Sequence, residues 1–196
     1  MEISKGIYHS DYLKLNLDDR FLSSDWEIAF NYFEKRINER FIEPINKLIE
    51  SEENLNPIDK KFGFSILALD CLLIETIQSF YQGITNSSSK SKKIFKRFLT
   101  QQDGFKEYFI TDKIAEDFYF KFRCGLLHQA QTSSDSKIWS VGELISTKGN
   151  YFIVNRVLFH EKIITVFNSY LKELRETKDK TLLKNYKIKM DYIAGN

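Results

Sequence analysis

Arg123 and His128 carry the clearest chemical signal in this chain, in the run Arg123-Cys124-Gly125-Leu126-Leu127-His128. A guanidinium grips an anionic oxygen pair with two parallel donors, and an imidazole takes or gives a proton near neutral pH. The pair closes an apolar helical pattern and precedes the polar stretch Gln129–Ser136, where a helix end meets solvent. Five residues along an ideal α-helix rotate two side chains ~140° apart. Convergence therefore needs an unwound helix end or a second copy of the helix. Gly125, between them, has no side chain and would allow another helix to approach closely. The competing reading is purely structural, with Arg123 paired to an acid and His128 capping the helix end through a carbonyl.

Other chemical vocabulary is sparse. His9, His128 and His160 are far apart and lack the spacing of a zinc site, so no metal ligand set is expected. No GxxxxGK[ST], GxGxxG or GxSxG occurs, which disfavours a phosphate-cradling loop, a dinucleotide fold and a nucleophile elbow, and no cofactor is expected. Cys71 and Cys124 lie in separate apolar segments and read as reduced, buried thiols. His160, beside Glu161 at the start of the last helix, reads as a surface or capping residue. Asp70 and Glu75 interrupt the most apolar stretch, and a buried acid is costly unless paired. Glu75 is the better candidate to orient Arg123. Asp70 is a supporting residue that could equally well face solvent.

The elements that must position these groups follow from periodicity. A length of 196 residues, with 42% hydrophobic and 29% charged, suits one domain with its own core. Apolar positions Trp26, Ala29, Phe30, Phe33, Ile37, Phe41, Ile45 and Ile49 predict a helix over about 25–51, kinked or briefly interrupted at Pro44. Residues 61–83 predict a central helix, apolar almost all round, with Gly83 as its C-cap. A short basic helix over 90–100 and a helix from Thr111 or Asp112 to about Ala130 follow, the latter with Ile114, Phe118, Phe122 and Leu126 on one stripe. Two β-branched and aromatic runs, 138–145 and 151–157, flank Lys148-Gly149-Asn150 and predict a hairpin, before a last helix over 160–178. Residues 1–24 read as an N-terminal extension with a possible strand at Tyr12–Leu17, and 178–196 as a C-terminal tail that could be a strand, a short helix or a frayed end. The fold class is thus mainly α, about five helices with a small hairpin before the last. A net charge of +2 excludes a polybasic nucleic-acid coat, so binding charge must be local. The acids in 61–83 argue against a membrane span, and the start MEISKGIYHSDYLKLNLDD lacks the pattern of a secretory signal. The expected location is cytoplasmic, with no membrane partner.

With these elements in place, FRCGLLHQA resembles the HEPN superfamily, whose mark is R-x(4–6)-H near the end of a late helix in a small α-bundle. The resemblance spans residues 25–177 as a helix pattern, with Arg123 and His128 in the shortest form of the motif. It implies a metal-independent endoribonuclease, of toxin or phage-defence type, whose composite site forms where two motifs meet in a homodimer. RNA would be the substrate, and an antitoxin or a larger defence complex a further partner. Arg123 would then bind the scissile phosphate and His128 would transfer protons. The RNA 2′-hydroxyl would attack, leaving a 2′,3′-cyclic phosphate and a 5′-hydroxyl, and the helix C-terminus would favour a cationic His128 for the acid role. Cys124 stands where many active members carry Asn, Asp or His, and Ala130 stands in the Tyr position of one toxin subgroup. Other members are non-catalytic nucleotide- or protein-binding scaffolds. Within an RNase reading, Lys90, Lys92, Lys93, Lys96 and Arg97 are RNA-binding candidates, with Phe95 and Phe98 interleaved. A solvated helix face over core phenylalanines is the slightly favoured alternative for that run. Tyr119 and Trp139 are possible base-stacking residues, more simply read as packing residues.

Overall fold

A computed structural model describes residues 2–17, 23–129, 131–177 and 179–195. The chain is mainly helical, about 65% of it, with small strand sheets. Strands β1 (Glu2–Ser4) and β2 (Ile7–Tyr8) lead into α1 (His9–Leu13). Helices α2 (Ser24–Ile37) and α3 (Glu43–Glu50) form one helical run interrupted by a wide π-type turn at Asn38–Ile42. Pro44 is the reason. It has no N–H to offer the preceding turn, and the ladder widens just before it.

α4 (Gly63–Gln82) is the hub, packed against α5 (Ser91–Gln101), α8 (Arg156–Glu176) and α9 (Lys180–Gly195). Ile66, Leu67, Cys71, Leu73, Ile74, Ile77 and Phe80 are fully shielded from solvent. Among the described residues α4 alone is long and apolar enough to cross a membrane, and two-thirds of its apolar window is buried inside the protein. It ends at Gly83, with φ of +62°, where a Cβ would meet the Asn185 backbone at 3.1 Å. One aromatic cluster joins Phe33 and Phe80, ring centroids 4.1 Å apart, to Phe167, Tyr170 and Tyr186. A second joins Phe118, Phe122, Phe152 and Phe159, and it anchors the helix that bears Arg123.

Three expectations change. The expected strand at Tyr12–Leu17 does not form. The strands of this segment are β1 and β2, and Tyr12 is a buried helical residue whose hydroxyl donates to Asp191 at 2.9 Å. Alternation over six residues does not separate a strand from a short amphipathic turn. The C-terminal tail takes the helical form among the alternatives open to it, over Lys180–Gly195, and it is part of the core. α9 buries Leu182, Leu183, Tyr186, Met190 and Ala194, and it packs on α1 and α4, so both ends of the chain join the one core. The expected hairpin is part of a three-stranded sheet of order β3-β5-β4, from β3 (Ser136–Trp139), β4 (Ile145–Lys148) and β5 (Tyr151–Asn155). Gly142, at φ +87°, breaks the first arm in two, and β3 pairs parallel with β5 on the side opposite β4. Asn155 then caps α8, its Oδ1 accepting from the Val157 and Leu158 amides at 3.1 and 3.3 Å. α8 consequently starts at Arg156 rather than near His160.

Candidate functional site

The motif helix starts at α6 (Asp112–Phe118), with Thr111 Oγ1 accepting from the Ile114 amide at 3.3 Å. It widens into a π-type turn at Tyr119–Cys124 and resumes as α7 (Gly125–Gln129). The wide turn ends at Cys124 and the chain from Gly125 to His128 is α-helical, so the two side chains meet through their reach: Arg123 Nη1 lies 3.1 Å from His128 Nε2 within a single chain. Guanidinium has donors only, so a hydrogen bond in this contact is accepted by Nε2.

The returning loop holds the wide turn in place. The Ser133 amide donates to the Lys121 carbonyl and the Gln131 amide to the Gly125 carbonyl, both at 3.3 Å. Lys121 ion-pairs with Asp135, and the Ser133 hydroxyl donates to Asp135 Oδ1 at 2.6 Å. Together they hold the Asp135 carboxyl down at about 2, with Lys121 the larger cause. Gly125 makes room for this loop: a Cβ there would stand 2.3 Å from the Gln131 carbonyl oxygen.

Behind the pair, Arg123 Nη2 donates to Glu75 Oε2 at 3.0 Å, with side-chain exposures of only 15% and 10%. The Arg123 guanidinium also lies 5.6 Å from the centroid of the Tyr119 ring. Burial works against the Arg123 charge, but the Glu75 hydrogen bond and charge outweigh it, so the guanidinium holds its proton more firmly than usual. Its Nε is buried with no hydrogen-bond partner among the described residues. His128 itself is exposed. An open depression of about 440 Å³ adjoins it, lined among others by Phe120, Cys124, Gln129, Gln131 and Thr132.

The remaining candidates are placed differently. Asp70 does not support Arg123. It is fully buried on the α8 side of α4, where Oδ1 lies 2.7 Å from His160 Nδ1. Burial pushes the Asp70 carboxyl up against the opposing pull of His160. His160 is therefore a core residue, 1% exposed, and not a surface one, because α8 starts four residues earlier and turns it inward. The basic helix α5 splits into two stripes. Lys92 and Lys96 face α6, with Lys92 3.0 Å from Glu116 and Lys96 2.8 Å from Asp112. Lys90, Lys93 and Arg97 lie along another, exposed face, and Phe95 and Phe98 are fully buried core. Tyr119 is buried against Arg123 and Phe95, and Trp139 lines a separate pocket with Ile58 and Arg156.

Sequence reasoning did not single out Phe120, 55% exposed beside the motif. A signal was present, since Phe120 lies off the Ile114–Phe118–Phe122–Leu126 stripe that the core uses. Among the described residues, no group of three or more His, Cys, Asp or Glu side chains converges as a metal site would require. No family model, curated protein or solved structure matches this chain.

Proposed function

We propose that this chain is a metal-independent endoribonuclease of HEPN type, acting in a toxin or phage-defence setting at a site completed by a homodimer. The observation that carries the reading is the Arg123–His128 contact at 3.1 Å, backed by Glu75 at 3.0 Å. Glu75 fixes one edge of the guanidinium, and Nη1 is left facing the solvent-side imidazole. A scissile phosphate arriving there takes the Nη1 donors in place of His128 and frees Nε2 to accept the 2′-hydroxyl proton. As a pentacoordinate phosphorane forms, the guanidinium offsets the growing charge on its oxygens. The leaving 5′-oxygen needs a proton, and a second imidazole, already protonated and contributed by the partner copy, supplies it. Products are a 2′,3′-cyclic phosphate and a 5′-hydroxyl. A dimer is supported by the face of α4 that carries Phe64 and Leu72, exposed apolar residues with the partly buried Ala68 between them, on the same side of the helix as Glu75.

A second reading is a non-catalytic nucleotide- or protein-binding module of the same type. It is favoured by the state of Arg123, whose side chain is 15% exposed and already hydrogen-bonded to Glu75 and His128. One experiment separates the two: cleavage of mixed cellular RNA in excess EDTA by the unaltered chain, Arg123→Ala and His128→Ala, with end-group analysis. Cyclic-phosphate ends made only by the unaltered chain support the ribonuclease. Equal cleavage by all three removes the motif from the chemistry. A folded, dimeric and inactive unaltered chain favours the binding module.

A further inference from the structure

The depression beside His128 has a lining that the cleavage chemistry does not use. Among the described residues His128 is its one titratable nitrogen base, no carboxylate, lysine or arginine lines it, and the rest is amide, hydroxyl, thiol and one phenyl ring. A lining of that kind suits a neutral ligand with polar edges and a flat face, not a phosphate. Its volume of about 440 Å³ falls within the ~300–1,000 Å³ of small-molecule sites. Phe120 supplies the flat wall. Its neighbours on the same helix, Phe118 and Phe122, are fully buried, whereas Phe120 stays 55% exposed, edge-on to Tyr119 at 5.4 Å. The Lys92 ammonium stands 5.1 Å from the Phe120 ring centroid, held by Glu116. Also in the lining, Gln131 Nε2 donates to Gln129 Oε1 at 3.2 Å. This pairing leaves one amide donor end and one amide acceptor end without partners among the described residues, a pattern that a base edge can complete.

We propose that this depression is a nucleobase subsite for single-stranded RNA, with Phe120 as the stacking wall and Gln129 and Gln131 reading the base edge. The proposal rests on the ribonuclease reading for its orientation: the base belongs to a nucleotide flanking the phosphate held by Arg123. Lys92 then lies where a neighbouring phosphate would pass. A base already paired and stacked in an A-form duplex has neither face nor edge free to enter, so single strands are bound and duplexes are rejected.

The test uses the full chain and fluorescein-labelled 2′-O-methyl hexanucleotides, which lack the nucleophile, as four homopolymers and one self-complementary duplex. Anisotropy reads binding by the unaltered chain, Phe120→Ala, Phe120→Trp and the double variant Gln129→Ala/Gln131→Ala. The unaltered chain is expected to rank the four bases. Phe120→Ala weakens the best binder by roughly 5- to 100-fold, the range of one base–aromatic stack. Phe120→Trp restores it, and the double variant flattens the ranking. Equal binding by Phe120→Ala and the unaltered chain, or preference for the duplex, overturns the subsite. Failure of the ribonuclease reading looks different: the base ranking and its loss in Phe120→Ala persist while cleavable RNA of the same sequence stays intact. In that outcome the subsite stands and the site binds without cutting.

Discussion

Replacing Gly125 by alanine sets two effects of known sign against each other. Alanine in a helix interior is favoured over glycine by about 1 kcal/mol. Against this, the new Cβ would lie 2.3 Å from the Gln131 carbonyl oxygen, where ordinary contact begins at 3.4 Å, so that oxygen must retreat by about 1.1 Å. The obstacle is backbone and not a side-chain tip, so the loop has to move as a unit. Its two tethers, Gln131 N to Gly125 O and Ser133 N to Lys121 O, are already 3.3 Å long and do not survive that displacement. Each is worth about 0.5–1.5 kcal/mol net, so the loss outweighs the propensity gain by about 1 kcal/mol. For a chain of this size, a melting temperature about 2–4 °C below the unaltered protein is expected. Thermal unfolding gives the sign, and amide hydrogen exchange over 131–136 gives the place, with protection lost there before anywhere in α4. Since the same tethers hold the loop beside the motif, the ribonuclease proposal further expects RNA cleavage to fall. A variant that melts 2–4 °C higher with an unchanged loop would refute the argument that this loop determines the residue at 125.

Glu75→Gln keeps an acceptor for Arg123 but removes its charge, and is expected to cost about 1–2 kcal/mol. A double-mutant cycle with Arg123→Gln should return a coupling above about 0.5 kcal/mol, and strict additivity would mean that the contact at 3.0 Å is energetically idle. Asp135 is depressed to about 2 in the folded chain, so its contribution is fully present above its unfolded value near 4 and is lost as pH falls toward 2. Exchange protection of 131–136 should fall in that window ahead of the core, and Asp135→Asn should lose the pH dependence while loosening the loop at all pH. Asn155→Ala removes the cap of α8 and the bond from Nδ2 to the Gly142 carbonyl at 2.8 Å. A loss of about 1–2 kcal/mol by urea denaturation is expected, with no change in the denaturant slope.

Features legible in the sequence were those set by the residues next to them along the chain. α4 is an example: its apolar residues surround the whole helix, so any bundle that buried them would place it at the centre, and Gly83 marks its end through φ alone. The mainly α class and the interruption of the helix just before Pro44 have the same local origin. Spacing also singled out Arg123 and His128, and charge balance suggested an acid for Arg123. Whether the two motif residues meet was not settled by spacing. Five positions diverge on an α-helix, and the contact forms because the long Arg123 side chain, held by Glu75, reaches His128 where the loop at Gln131 and Ser133 folds back on the helix. The choice between Asp70 and Glu75 was likewise a matter of packing. They lie five residues apart on α4 and point to different sides, one toward His160, 90 positions away, the other toward Arg123, 48 positions away. The strand order β3-β5-β4 and the docking of α9 have the same character. Each depends on which distant surface is free to cover an apolar face, and that free energy belongs to the assembled core and not to any one segment.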